Sequence, residues 1–143
     1  DFRTAPFVVE AWVRHRGQQE QQYGATIFSF GIGGGWRLGI NHLGEVLFTL
    51  YGIGERAGTQ SIVPADGEWH HVAVNFHHCG QIDYYIDGAL TDQLELKGYP
   101  HSPGNPLVRV GNEIALVTPF EGDIDRIHIG VGIIGPEDLD SKP

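Results

Sequence analysis

Three features of this sequence point to an all-β sandwich of two antiparallel sheets. Apolar residues recur with a period of two along several short runs, and no run sustains a helical period. Glycine-containing turns separate the runs, with Gly 21 and Pro 8 among 143 residues. That length suits one domain, 1–143, and is enough to bury a two-layer core.

The strongest of these runs is DGEWHHVAVNFHHCGQIDYYIDG, residues 66–88. Asp66-Gly67 and Asp87-Gly88 are turn dipeptides, because glycine accepts the positive φ that tight turns need. Between them His70, Val72, Val74 and Phe76 alternate with Trp69, His71, Ala73 and Asn75. After a corner at His77-His78-Cys79-Gly80, Ile82, Tyr84 and Ile86 alternate with Asp83, Tyr85 and Asp87. Two alternating runs joined by a short glycine-containing corner predict an antiparallel hairpin whose apolar face lies in the core.

The remaining elements follow in order. Residues 7–14 form a strand with apolar residues on both faces, which predicts a central position. Residues 14–24, RHRGQQEQQYG, read as a solvated surface loop. Residues 25–30 are a strand with Ile27 on one side and Phe28 and Phe30 on the other. The glycine-rich 31–35 is a turn and not a phosphate cradle, since no Lys-Ser/Thr and no helix follow it. Residues 36–41 and 45–51 complete a meander, with Trp36, Leu38, Ile40, Val46, Phe48 and Leu50 inward. Residues 52–60 are expected to be a loop and 61–64 a short strand. Residues 89–96 and 107–111 are further strands around an irregular, proline-rich 97–106; 112–118 is loop-like, and 120–129 is the last strand.

Composition narrows the function. The net charge of −9 argues against nucleic acid and anionic membrane as partners, since both reward Lys and Arg. Cys79 is the single cysteine, so neither an internal disulfide nor a cysteine-built zinc site is available. No apolar run is long enough to cross a bilayer.

Three segments carry a resemblance. GEWHHVAVNF with IDYYIDGAL resembles the central hairpin of laminin-G-like, concanavalin A-like jelly rolls. FVVEAWV resembles that family's early strand, and PFEGDIDRIHIG its last strand, with GPEDLD following as a short turn or helix. The resemblance implies a jelly roll, and a binding role: the family holds carbohydrate-binding modules, adhesion domains and, on related sandwiches, glycosidases. The expectation is therefore a non-catalytic, lectin-like module of a larger extracellular protein that binds a glycan. The alternatives are a structural or adhesion domain contacting another protein, and a divergent glycoside hydrolase.

Candidate site residues follow from parity. Sugar binding needs exposed aromatic faces with polar neighbours. Tyr51, Tyr85 and Tyr99 are the candidate platforms, and Arg37, Asn41, Thr49 and Asn75 the polar partners, provided their strands share a sheet. Trp12, Trp36 and Trp69 are assigned to the core. Asp125 shares strand parity with the core-facing Ile127 and Ile129, so its charge needs a partner. A structural calcium would supply one, as the resemblance implies for an Asp on the terminal strand; a backbone amide or an arginine would also serve.

Catalytic readings are weaker. Glu121, Asp123 and Asp125 alternate on one strand, as glycosidase carboxylates do, but they lie at the C-terminal strand rather than mid-chain. The adjacent pairs His70-His71 and His77-His78 point to opposite faces and do not converge on a metal. One of His70 and His71 is expected to pack in the sandwich against a backbone carbonyl. Cys79 beside two histidines lacks a recognisable pocket.

Overall fold

The computed structural model describes residues 6–19, 21–112 and 118–132. Among these residues there are ten strands and no helix: β1 (Phe7–Arg14), β2 (Ala25–Ile32), β3 (Trp36–Ile40), β4 (Glu45–Leu50), β5 (Gly54–Ile62), β6 (His70–Phe76), β7 (Gln81–Ile86), β8 (Ala89–Glu95), β9 (Asn105–Val110) and β10 (Asp123–Val131). They form two five-stranded sheets, ordered β10-β1-β6-β7-β8 and β5-β4-β3-β2-β9. Every pairing is antiparallel. The sheets pack face to face as a jelly-roll sandwich, with β5 stacked on β8 and β7. The edges β9 and β10 therefore share the opposite margin.

Alternation builds the interior. In the hairpin β6–β7, Val72 pairs with Ile86, Val74 with Tyr84 and Phe76 with Ile82, and all six are buried in the core. Asp87 and Gly88 both take positive φ, 51° and 83°, which matches a tight two-residue turn to the twist of its strands. Phe7 stacks on Trp36 with ring centroids 5.2 Å apart, and Phe28, Phe48 and Phe76 close around this pair. Such ring pairs add about 0.5–1.5 kcal/mol each beyond the burial of their area. Tyr84 is wholly buried and donates its hydroxyl to the Arg56 carbonyl at 2.8 Å; burial, with Asp92 and Glu55 nearby, pushes its phenol well above the ordinary range.

Several expectations are corrected. Residues 52–60 are not a loop, because β5 runs through them as an edge strand paired with β4. Its glycines and polar residues hide the alternation, and pairing with β4 alone makes it a strand. A β-bulge between Thr26 and Phe28 changes the parity of β2, so Ile27 and Phe28 both enter the core. The last strand starts at Asp123 rather than residue 120. Of the tryptophans only Trp36 joins the main core. Trp12 lies on the outer face, edge-on to His71, and the partly exposed Trp69 has the Arg14 guanidinium 4.7 Å from its ring centroid. Gln19, read as part of a solvated loop, is buried and bridges the backbone of Glu121 through both ends of its amide. GPEDLD lies outside the described residues.

Candidate functional site

The candidate sugar-binding residues do not share a sheet. Arg37 and Thr49 lie in the β5-β4-β3-β2-β9 sheet, with Asn41 and Tyr51 just beyond its strands; Asn75 and Tyr85 lie in the other. Asn75 and Tyr85 face away from the core, yet they are only 1% and 8% exposed. Tyr85 packs on Ala73, and the neighbouring outer-face residues Glu10, Trp12, His71 and Asp83 are buried too. A glycan hydroxyl has no open ring or amide to meet at these two positions. Asn41 serves its own turn: its Oδ1 accepts from the amides of Leu43 and Glu45, and its Nδ2 donates to Glu45.

The second sheet carries the most continuous polar arrangement. Cross-strand register places Glu55 opposite Thr49, Thr49 opposite Arg37, Arg37 opposite Ser29, and Ser29 opposite Arg109. One row of hydrogen-bonding side chains thus crosses all five strands on the outer face. Within it, Arg37 is 4% exposed; it donates to Glu55 and to the Tyr23 carbonyl at 2.8 Å each, and to Thr26 Oγ1 at 3.3 Å. Thr49 donates to the same Glu55 carboxylate. Arg37 is therefore a buried organiser of the row, and Glu55, Thr49 and Arg109 are its reachable members. The next row, Thr26, Gly39, Leu47 and Ala57, carries no charge. Gly39 is required there, since a Cβ would lie 2.2 Å from the Ala25 carbonyl oxygen.

Aromatic groups lie at both ends of this face. Tyr23, 54% exposed, stands beside Arg37 at one end. At the other, Tyr51 lines a shallow cleft of about 300 Å³ with Gly31, Ile32, Gly33, Gly34, Gly52 and His101. Gly35 donates its amide to the His101 carbonyl and accepts from the Tyr51 amide, so the glycine-rich turn and the 97–104 segment are tied together. Tyr99, 49% exposed, belongs to that segment. Tyr23, Ser29, Glu55 and Arg109 were not singled out by the sequence. Tyr23 sits in a polar loop, and long-range pairing alone brings Ser29 beside Arg109.

A larger polar cleft, where β1 ends and β10 begins, is lined by Arg14, Arg16, Gln18, Glu121 and Asp123. Arg14 and Asp123 form an ion pair of 2.6 Å across it. Of the three alternate carboxylates, Glu121 precedes the strand, Asp123 is paired and Asp125 is solvent-facing.

The parity argument for Asp125 fails on a bulge. Glu10 pairs with His128 but Trp12 pairs with Asp125, and Arg126 takes φ 49° at the irregularity. Ile124, Ile127 and Ile129 pack against the core, while the Asp125 side chain is 51% exposed. Its carboxylate accepts from the Arg126 amide and lies 3.9 Å from the Arg126 guanidinium. These surroundings do not fit a calcium ligand placed there to compensate a buried charge. Among the described residues, no group of three or more His, Cys, Asp or Glu side chains is arranged to hold a metal.

His70, His71 and His77 pair with carboxylates. His70 reaches Asp87 from Nδ1 at 2.8 Å and Asp66 from Nε2 at 3.0 Å. Desolvation pulls its pKa down, but the carboxylates of Asp87 and Asp66 outweigh it and leave it raised. Asp66 is held below the ordinary carboxylate range by the Glu68 amide and by His70. His71 lies against Glu10 at 3.2 Å rather than a backbone carbonyl. His77 meets Asp83 at 2.7 Å; burial would raise Asp83, but Gln81, His77 and Gln93 hold it down.

A sandwich of two antiparallel sheets with a polar outer face and clefts at its ends is the framework of jelly-roll binding domains. This chain belongs to the concanavalin A-like lectin/glucanases superfamily, matching its Laminin_G_3 family over residues 1–132. Among curated protein sequences none matches it. Similar solved structures include the LG4-5 domains of the mouse laminin alpha1 chain, with TM-score 0.69, 14% identity, and coverage of 97% of this chain and 39% of that one. Domain 4 of the extracellular GH43 arabinanase AbnA from Geobacillus stearothermophilus, in complex with arabinotriose, superposes with TM-score 0.68 and 19% identity, over 93% of this chain and 64% of that one. The CBM40 of the Ruminococcus gnavus IT-sialidase, bound to alpha2,3 sialyllactose, gives TM-score 0.68 and 17% identity, over 95% and 81%. The chain spans less than two thirds of the laminin and arabinanase structures.

Proposed function

We propose that this chain is a non-catalytic carbohydrate-binding module of a larger extracellular protein. The observation that carries the reading is the row Glu55–Thr49–Arg37–Ser29–Arg109, flanked by Tyr23 just before β2 on one side and Tyr51 just after β4 on the other. A sugar presents hydroxyls that both donate and accept, and C–H faces that pack on rings. Thr49 does both, Glu55 accepts, Arg109 donates, and the tyrosines offer ring faces. Arg37, held from three sides, fixes the row in advance, which lowers the ordering cost of binding. The resemblance to domains solved with arabinotriose and sialyllactose supports the same reading.

A glycan array with the isolated chain, run with and without calcium, tests it. The expected result is selective binding of at least one glycan class. Tyr51→Ala is expected to weaken that binding about tenfold, the loss of roughly 1.4 kcal/mol. An array silent under both conditions would sink the reading. A structural calcium remains a proposal, tested by the melting response to calcium and chelator.

One observation favours a second reading, an adhesion domain contacting another protein. The margin shared by β9 and β10 exposes Leu107, Val108, Val110 and Val131. Exposed apolar residues on unpaired sheet edges are suited to protein contact.

A further inference from the structure

We propose that the β2–β9 end of the polar row is an anion subsite that selects a carboxylate-bearing sugar, a uronic acid residue; this rests on the carbohydrate-binding reading above. The row is electrically uneven. Arg37 has its counter-ion in Glu55 at 2.8 Å, whereas the Arg109 guanidinium has neither an ion pair nor a hydrogen bond among the described residues. Arg109 is partly buried on the sheet margin, between the apolar Val108 and Val110. A desolvated cation without a counter-charge is unfavourable, so the position is poised to take an anion.

Donor supply points the same way. The Nε atoms of both Arg109 and Arg37 are buried without a hydrogen-bond partner. Ser29 stands between these two arginines in the register, and its hydroxyl has one long contact, 3.4 Å to the Asn112 carbonyl. The guanidinium fork matches the two oxygens of a carboxylate. A neutral sugar at this position would leave the Arg109 charge uncompensated. The chain carries −9 overall, so attraction here is local and operates within about 10 Å at 0.1 M salt.

The test follows the arginine Nε–Hε signals by NMR while methyl glucuronide or methyl glucoside is titrated into the intact chain. Methyl glucuronide is expected to shift the Arg109 signal saturably, and methyl glucoside to leave it in place. Arg109→Gln is expected to weaken glucuronide binding at least tenfold without lowering the melting temperature, and Arg109→Lys to restore it in part. Equal responses to the two sugars, or an Arg109→Gln variant that binds glucuronide as the wild type does, would overturn the subsite. If a glycan array shows the wild type binding neutral glycans with no acidic preference, the subsite fails while the carbohydrate-binding reading stands. Silence toward acidic and neutral glycans alike overturns both.

Discussion

His70 shows how one side chain can join two turns. Asp66 and Asp87 each belong to a turn dipeptide that ends a strand of the central hairpin, and both carboxylates close on the same imidazole. Two acceptors on two ring nitrogens favour the doubly protonated ring. The folded-state pKa of His70 is raised above 6.5, so its charge stabilises the fold fully below that value and the contribution is lost as pH rises through the folded pKa. We expect the melting-temperature gap between wild type and His70→Gln to widen as pH falls from about 8 to 6, where an unperturbed histidine gains its proton. A gap independent of pH would show that the clamp acts only through neutral hydrogen bonds. The two turns were legible from Asp-Gly alone, but the clamp was not, because only the fold brings residue 66 to residue 87.

At the scale of elements, bulges decide which side chains face where. Arg126 occupies the left-handed region at φ 49°, a conformation that costs a non-glycine residue about 1 kcal/mol or more. Its exposed contact with Asp125, 3.9 Å, offsets little of this. Arg126→Gly is therefore expected to leave the melting temperature unchanged or raise it, whereas glycine in a regular strand would lower stability by roughly 0.5–1 kcal/mol. A clear drop would argue that β10 runs without the bulge. Gly39 makes the opposite case. Its outward Cβ position is filled by the Ala25 carbonyl, so Gly39→Ala should force β2 and β3 apart at a cost on the order of 1–3 kcal/mol, measured by denaturant midpoint. A midpoint equal to wild type would show that the strands separate freely.

For the whole molecule, the two sheets are joined by one aromatic cluster centred on Trp36. Trp36→Ala should cost about 3–5 kcal/mol, as such deletions do in close-packed cores, with both sheets lost in a single transition. A sandwich that melted in two steps would contradict one shared core. Calcium also belongs to this scale, since an ion bound only by the folded state raises the melting temperature by mass action. Because Asp125 faces solvent, Asp125→Ala should show the same melting response to calcium and chelator as the wild type. A response present in the wild type and lost in the variant would return Asp125 to the metal site.

The sequence specifies the strands that alternate cleanly, the hairpin of 70–86 with its turns, the inward set of the 36–50 meander and the sandwich class, because period-two burial and turn chemistry are local. It failed where a strand lacked alternation, as in β5, and where an extra residue inverted parity, as at Thr26–Phe28 and Asp125. Which outer faces stay open depends on how strands and loops pack across them. Asn75 and Tyr85 alternate correctly and are still buried, because exposure depends on what lies across a face. The polar row, too, is invisible in the chain, since Arg109, Ser29, Arg37, Thr49 and Glu55 become neighbours only through the hydrogen-bonded register of five strands.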